Sequence, residues 1–258
     1  MSYQLLYVAL PNLVLGMGLG VAGGLLGIGG GLIAIPILAH FYGMDQQLAQ
    51  GTALVMITPN VLIGFIRYRQ KNNIALKSIA PMAVASILAT YVAAKCATGL
   101  NPHHLQIGFA LFLLVLALYF GWSLKRASTQ VNACSGPGQR KVASDWLMPL
   151  IGIASGIMSG LFTVGGGLVV VPALVTMFRM SQTHAQGIAL ALVVPGALVA
   201  LFTYSGAGHV DWVTGIPLAL GGIVSVSWGV ALAHQFAPTK LRLIFCSVLV
   251  ATSLAMLF

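Results

Sequence analysis

Two short stretches carry the chemistry most open to this chain: GIGGGLIAIP at 27–36 and TVGGGLVVVP at 163–172. Consecutive glycines tolerate backbone dihedrals that other residues do not, and they let other backbones approach closely. If short helices begin at 31–35 and 167–171, their first N–H groups and positive dipole ends would face a common space and favour an anion. Downstream of each triplet stands AQG, as Ala49-Gln50-Gly51 and Ala185-Gln186-Gly187. An amide inside an apolar helix needs a partner, which is either an oxyanion in a cavity or an interhelical hydrogen bond. The candidate substrate-binding set is therefore Gly29, Gly30, Gly31, Gly165, Gly166, Gly167, Gln50, Gln186, Gly51, Gly187 and Thr52. Thr52, Thr58, Asn60 and Thr163 are polar but not duplicated between the two stretches, so their claim is weaker.

Other chemistries find little support. GGGLIA at 29–34 fits a dinucleotide fingerprint, but GGGLVV does not, and no acidic residue follows about 20 positions on. There is no His/Asp/Glu cluster and no CxxC, so neither an enzyme, a metal nor a cofactor is expected. His103-His104 reads as a loop pair and His184 as an interfacial histidine. The net charge of +9 would suggest nucleic acid in a soluble protein. Here the basic residues mostly stand between apolar runs, as positive-inside anchors do.

What must position these residues is a membrane bundle. The 258 residues are 59% hydrophobic and 6% charged, against about 25% charged in soluble domains. No Asp, Glu, Lys or Arg occurs between Met1 and Met44, and charge-free stretches recur to the C-terminus. A helix crossing the hydrocarbon needs roughly 20 apolar residues, whereas barrel strands would alternate polar and apolar. The N-terminal MSYQLLYVAL lacks a basic leader and reads as a retained first helix.

The chain is also written twice. Shifted by 136 residues, 24–76 lies on 160–212 without a gap, and 18 of the 53 positions are identical. Pro36, Pro59, Pro81 and Pro102 fall on Pro172, Pro195, Pro217 and Pro238. Apolar segments are expected at 3–27, 31–43, 47–67, 77–98 and 103–122, then at 146–163, 167–179, 184–204, 213–235 and 240–257. Pro36 and Pro172 are expected in the first turns of the short segments, where a missing N–H does least harm. The expected organisation is a first membrane repeat at 1–122, a cytoplasmic linker at 123–145 and a second repeat at 146–258. Gly16, Gly18, Gly20, Gly23 and Gly24 read as close helix-packing positions.

Five segments is an odd number, which inverts the second half relative to the first. Charge agrees independently. Arg67, Arg69, Lys71 and Lys77 fill the first repeat's third loop, whose counterpart SGAGHVDW has Asp211 and no Lys or Arg. NPHHLQ has no Lys or Arg, while its counterpart has Lys240 and Arg242. With Lys125, Arg126, Arg140 and Lys141 of the linker, these loops share one side only if the halves are inverted. Both termini are then periplasmic. Lys95 is the exception and would snorkel to the interface. The fold class is thus an all-α polytopic membrane protein of two inverted repeats, about five helical segments each, with helix breaks at the paired glycine triplets.

GIGGGLIAIPIL with AQGTAL, and TVGGGLVVVPAL with AQGIAL, resemble the paired motifs of the TauE/SafE sulfite-exporter superfamily. The resemblance covers both repeats. It departs from the usual pattern at Gln50 and Gln186, where a small apolar residue is expected, and at Ile188, where Thr or Ser is common. It implies a bacterial inner-membrane transporter that moves sulfite, sulfonates or related sulfur oxyanions by alternating access. The residues agree in sign, because Asp45, Asp145 and Asp211 all fall at loops or helix ends and leave no carboxylate for a cation pathway. Each negative charge leaving an inside-negative cell gains roughly 2.3 kcal/mol per 100 mV, about fifty-fold in ratio, so export needs no relay. The alternatives are an anion channel and an ion-coupled importer of a small organic or inorganic anion. The expected partners are that anion and the lipid bilayer, with no nucleic acid; a homodimer is one assembly open to the chain.

Overall fold

The computed structural model describes residues 2–26, 29–71, 76–127, 147–164, 166–178, 180, 182–233, 235 and 238–257. Those residues form helices α1 (Ser2–Leu26), α2 (Gly31–Phe41), α3 (Gln46–Lys71), α4 (Leu76–Gly99), α5 (Pro102–Ala127), α6 (Leu147–Phe162), α7 (Gly167–Met177), α8 (Gln182–Gly206), α9 (Trp212–Ala233) and α10 (Pro238–Leu257). No strand occurs among the described residues. Five of the helices, α3, α4, α5, α8 and α9, are long and apolar enough to cross a membrane. Their outward faces carry residues such as Leu88, Val92, Leu118, Leu220 and Trp228, all exposed and apolar, as contact with lipid tails requires. The ten helices fall on the ten expected segments, except that α3 continues to Lys71 and α5 to Ala127, past the ends expected at 67 and 122.

Helix ends have local causes. Asp45 Oδ1 accepts the Leu48 N–H at 2.8 Å and opens α3; Asp211 Oδ1 accepts the Val213 N–H at 3.0 Å and opens α9. Asp145 lies outside the described residues. α2 stops at Gly43, whose φ of 61° lets the Met44 N–H turn back to the Leu38 carbonyl at 3.4 Å. α7 ends with the same bond, Met180 N–H to Leu174 carbonyl at 3.3 Å. Each of these helices has 11 residues, about 16 Å, too short to cross the roughly 30 Å core. Pro36 and Pro172 are the sixth residues of α2 and α7, not first-turn residues as expected, because the helices begin five positions earlier. The carbonyls of Leu32 and Leu168 therefore lose their usual intrahelical donors.

The main contacts cross between the halves. α1 lies along α9, and α6 along α4. A Cβ added to Gly20 would fall 2.7 Å from Gly222 Cα, and one on Gly24 would meet Val226 and Gly229. Gly152, Gly156 and Gly160 face Met82, Ser86 and Thr90 of α4 in the same way. Residue numbers rise together along both pairs, so each pair runs parallel. Gly16, Gly20 and Gly24 map onto Gly152, Gly156 and Gly160 under the 136-residue shift, so one four-residue glycine spacing builds both contacts. Gly18 is the exception among the expected packing glycines: it has nothing within 4 Å of an added Cβ. One helical position to the side, it leaves the seam.

α3 and α8 form the centre and run antiparallel, with Gln50 beside Tyr204, Gly64 beside Leu190 and Tyr68 beside Gln186. α5 and α10 are antiparallel as well, joined by Gln106 Nε2 to the Met256 carbonyl at 3.1 Å and Ser253 Oγ to the Ala110 carbonyl at 3.1 Å.

Gly156→Leu must displace α4 backbone, since an added Cβ already meets the Ser86 carbonyl oxygen and lies 2.8 Å from Ala89 Cβ. Overpacking of this kind costs about 1–3 kcal/mol or more. Gly18→Leu should stay within about 0.5 kcal/mol of wild type. Thermal unfolding of the detergent-purified protein separates the two; equal losses would contradict the packing described.

Candidate substrate site

The site grows from the two short helices. Between α1 and α2, Gly29 and Gly30 take φ of 74° and 87°, a region that side chains other than glycine rarely enter. The Gly30 carbonyl accepts the Ile33 and Ala34 N–H groups at 3.2 and 3.1 Å. The N–H groups of Gly31 and Leu32 are thus left without partners inside the helix. In the second half the Gly166 carbonyl accepts the Val169 and Val170 N–H groups at 3.1 and 3.0 Å, with the same consequence for Gly167 and Leu168. The backbone there differs: Gly166 has φ −57° and Thr163 takes the positive value, 54°. Gly165 lies outside the described residues.

The start of α2 lies beside the turn that leads from α6 into α7. A Cβ on Gly31 would come within 3.8 Å of the Thr163 carbonyl oxygen. Gly29 packs on Val61 and Ile57, near the middle of α3, while Gly167 faces Ala189 and Val193 of α8. Beside Gly29 is a cavity of ≈ 10 Å³, lined among others by Gly23, Asn60, Tyr68, Leu190 and Val226. That is room for about one water.

Several buried polar atoms lack partners, and those of Asn60 are the ones on this cavity. Both amide atoms of Asn60 are buried and unpaired, as are the hydroxyls of Thr163 and Thr90. Thr90 lies across the bundle beside Gly196, whose added Cβ would be 3.4 Å from the hydroxyls of both Thr90 and Ser159. Under the repeat shift Gly196 is the counterpart of Asn60, Ser159 of Gly23 and Thr90 of Val226. One half thus offers an amide from the central helix, and the other offers hydroxyls from the surrounding helices. Asn12 and Gln46 also hold unpaired buried amide atoms, but near the end of the bundle where α3 begins.

The structure distributes the remaining expected residues differently. Gln50 and Gln186 bond tyrosines across the α3–α8 crossing: Tyr204 Oη donates to Gln50 Oε1 at 2.8 Å, and Tyr68 Oη to Gln186 Oε1 at 3.2 Å. The Oε1 atoms of both amides thus have interhelical partners, while Gln50 Nε2 is buried without one. Gly51 sits against the His209 carbonyl, and Thr52 Oγ1 accepts the Asp211 N–H at 3.0 Å, so both hold the α8–α9 turn against α3. Gly187 is buried within α8. Gln50, Gly51 and Thr52 lie five to seven residues before Ile57, roughly 8–11 Å along the helix from the glycine contacts. Thr58 is spent on its own helix, donating to the Leu54 carbonyl at 2.7 Å. Lys95 is exposed, 5.6 Å from the centre of the Tyr91 ring.

The tyrosines are legible in the sequence as well, since Tyr68 and Tyr204 are identical at the repeat spacing. Asn60 is the unduplicated case: its counterpart is glycine.

A model of the sulfite exporter TauE/SafE family matches residues 12–256. The chain belongs to this family. A probable membrane transporter protein of Xylella fastidiosa is 26% identical over 238 residues, covering 91% of this chain and 89% of the relative. One of Methanocaldococcus jannaschii is 26% identical over 262 residues, 95% and 94% of the two chains. The probable membrane transporter protein YunE of Bacillus subtilis is 23% identical, over 92% and 93%. No solved structure matches. Relatives spanning almost the whole chain, together with a matching family model, make this TauE/SafE protein a membrane transporter.

Both Gly30 and Gly43 have positive φ, but only Gly30 is enclosed, with the Leu19 carbonyl oxygen 2.7 Å from an added Cβ. Gly43→Ala should therefore cost about 1–2 kcal/mol from backbone strain alone, and Gly30→Ala clearly more. Thermal unfolding would refute the geometry if the order were reversed.

Proposed function

We propose that this transporter exports a small sulfur-containing oxyanion, sulfite or an organosulfonate, across the bacterial inner membrane by alternating access. The anion sits between the starts of α2 and α7. The observation that carries this reading is Asn60, a side chain 1% exposed with both amide atoms unpaired, on the cavity that Gly29 lines. A buried polar group with no partner costs about 1–3 kcal/mol. An oxyanion accepting from the Asn60 Nδ2–H group and from the free N–H groups of Gly31 and Leu32 removes the donors' share of that cost, and a water or a proton on the anion would answer Oδ1. Two half-helix starts at mid-depth supply the favourable potential without any cationic side chain.

The two halves are inverted repeats in this reading. α3 and α8 are repeat counterparts and run antiparallel, and so are α5 and α10; parallel repeats would align them. The basic residues fit the same arrangement. Gln47 Nε2 bonds the Ala97 and Leu100 carbonyls at 2.9 and 2.7 Å, which brings the start of α3 to the end of α4 and the approach to α5. Arg67, Arg69 and Lys71 at the far end of α3, Lys77 at the start of α4, Lys125 and Arg126 at the end of α5, and Lys240 and Arg242 at the start of α10 then share one face. That face is cytoplasmic by the positive-inside rule, and the N-terminus of α1 and the C-terminus of α10 are periplasmic. Asp45 and Asp211 cap helices, so the transported charge is the anion's own, and the membrane potential drives it outward.

Proteoliposomes preloaded with radiolabelled sulfite test this. Wild type should show saturable efflux that increases with an interior-negative potential. Asn60→Leu should lose efflux at least tenfold while its unfolding temperature stays close to that of wild type, because it keeps the branched, four-heavy-atom shape and removes an unsatisfied amide. Undiminished efflux from Asn60→Leu would sink the site. No sulfite, sulfonate or thiosulfate flux from folded wild type would sink the substrate class.

A further inference from the structure

We propose that the two tyrosine–glutamine pairs are the gates of the carrier, one at each end of the α3–α8 crossing, and that Pro59 and Pro195 are the hinges between them. This rests on the alternating-access reading above but not on the identity of the anion.

The same pattern is written in both central helices. Gln50, Pro59 and Tyr68 of α3 stand nine residues apart, and so do Gln186, Pro195 and Tyr204 of α8. Because the helices are antiparallel, the glutamine of each meets the tyrosine of the other. Tyr204 Oη donates to Gln50 Oε1 at 2.8 Å and also reaches the Gly160 carbonyl of α6 at 3.3 Å. Tyr68 Oη donates to Gln186 Oε1 at 3.2 Å. All four side chains are at most 5% exposed. The 18 residues between Gln50 and Tyr68 span about 27 Å, close to the roughly 30 Å hydrocarbon thickness. One pair therefore lies near each face of the membrane, with the glycine turns and Asn60 between them.

Tyr68 is also a wall of the Asn60 cavity, so releasing its pair opens that cavity toward the end of α3. The prolines lie midway. Each removes one N–H from the helix ladder and frees the carbonyl four residues earlier, Val55 in α3 and Ala191 in α8, which is where helices bend. A bend at the midpoint separates one pair while pressing the other together. With both pairs made, the enclosed space is ≈ 10 Å³, as suits an occluded state. Each clasp is a hydrogen bond between neutral groups. Such bonds between membrane helices are weak enough to break in a working cycle and strong enough to bias it.

The test measures which side of the membrane reaches the centre, and needs no substrate. Asn60→Cys is placed in the full-length protein with Cys96, Cys134 and Cys246 replaced by Ser. Labelling by a membrane-impermeant thiosulfonate is followed in right-side-out and inside-out vesicles. Tyr204→Phe removes one oxygen and keeps the ring, so it should fold; it should raise labelling from the face nearer Gln50 about three- to eighteen-fold and lower labelling from the other. Tyr68→Phe should do the reverse. Gln50→Leu and Gln186→Leu should each reproduce the variant of their partner, and combining the members of one pair should add little. A structural tie would lower thermal stability without any side preference. Equal labelling from both faces, or both tyrosine variants opening the same face, would overturn the gates. Opposite biases in a protein that moves no sulfite would keep the gates and reject the proposed substrate.

Discussion

The close backbone contact of α1 with α9, and of α6 with α4, is the constraint on which the rest depends. In each pair glycines at four-residue spacing let one helix rest on the backbone of the other, and the partner always belongs to the opposite half. Lipid tails are as apolar as leucine, so burial alone does not hold such helices together; contact distance does. These seams fix where α1 and α6 end, and hence where α2 and α7 begin. Had α1 and α6 packed within their own halves, the start of α2 would not lie beside the turn into α7.

That placement answers a problem of backbone satisfaction. An 11-residue helix with free N–H groups at mid-depth is untenable against lipid and tolerable inside protein or beside a cavity. Here the start of α2 is enclosed by Leu19, Met56, Ile57 and Val61, and that of α7 by Ser155, Ala189 and Val193. The tight fit explains the glycines without any ligand, so packing and binding do not compete for them. Glycine is what allows the α2 start to lie at such close range, and the exposed N–H groups follow from that conformation. What packing does not explain is the buried Asn60 amide, whose two polar atoms have no partner, and the proposed site rests on it.

Much of this was legible because it is written twice. The sequence repeat, the ten helical segments and the short second helices all follow from residue spacing. For Gln50 and Gln186 the sequence shows the need for a partner but not which residue meets it. Amide need is visible in a sequence, whereas the direction of a helix crossing decides who answers it. Tyr68 and Tyr204 became their partners only once α3 and α8 were antiparallel. Asn60 was discounted because the repeat does not copy it, and α5 ran past its expected end because a helix need not stop where apolar residues do.

The failure of the repeat at Asn60 is informative in itself. In the alternating-access reading proposed above, near-equivalent halves would give the inward-open and outward-open states similar free energies, because each would be built from the same contacts with the roles exchanged. A single substrate at the centre would have no such duplicate, so copying its contacts in both halves would build a second site rather than complete the first. Asn60 facing Gly23 and Val226, against Gly196 facing Ser159 and Thr90, is a polar set divided between the halves rather than repeated in each. The duplicated Gln–Pro–Tyr pattern and the unduplicated asparagine thus fit two different demands: movement that must be reversible, and a site that must be one.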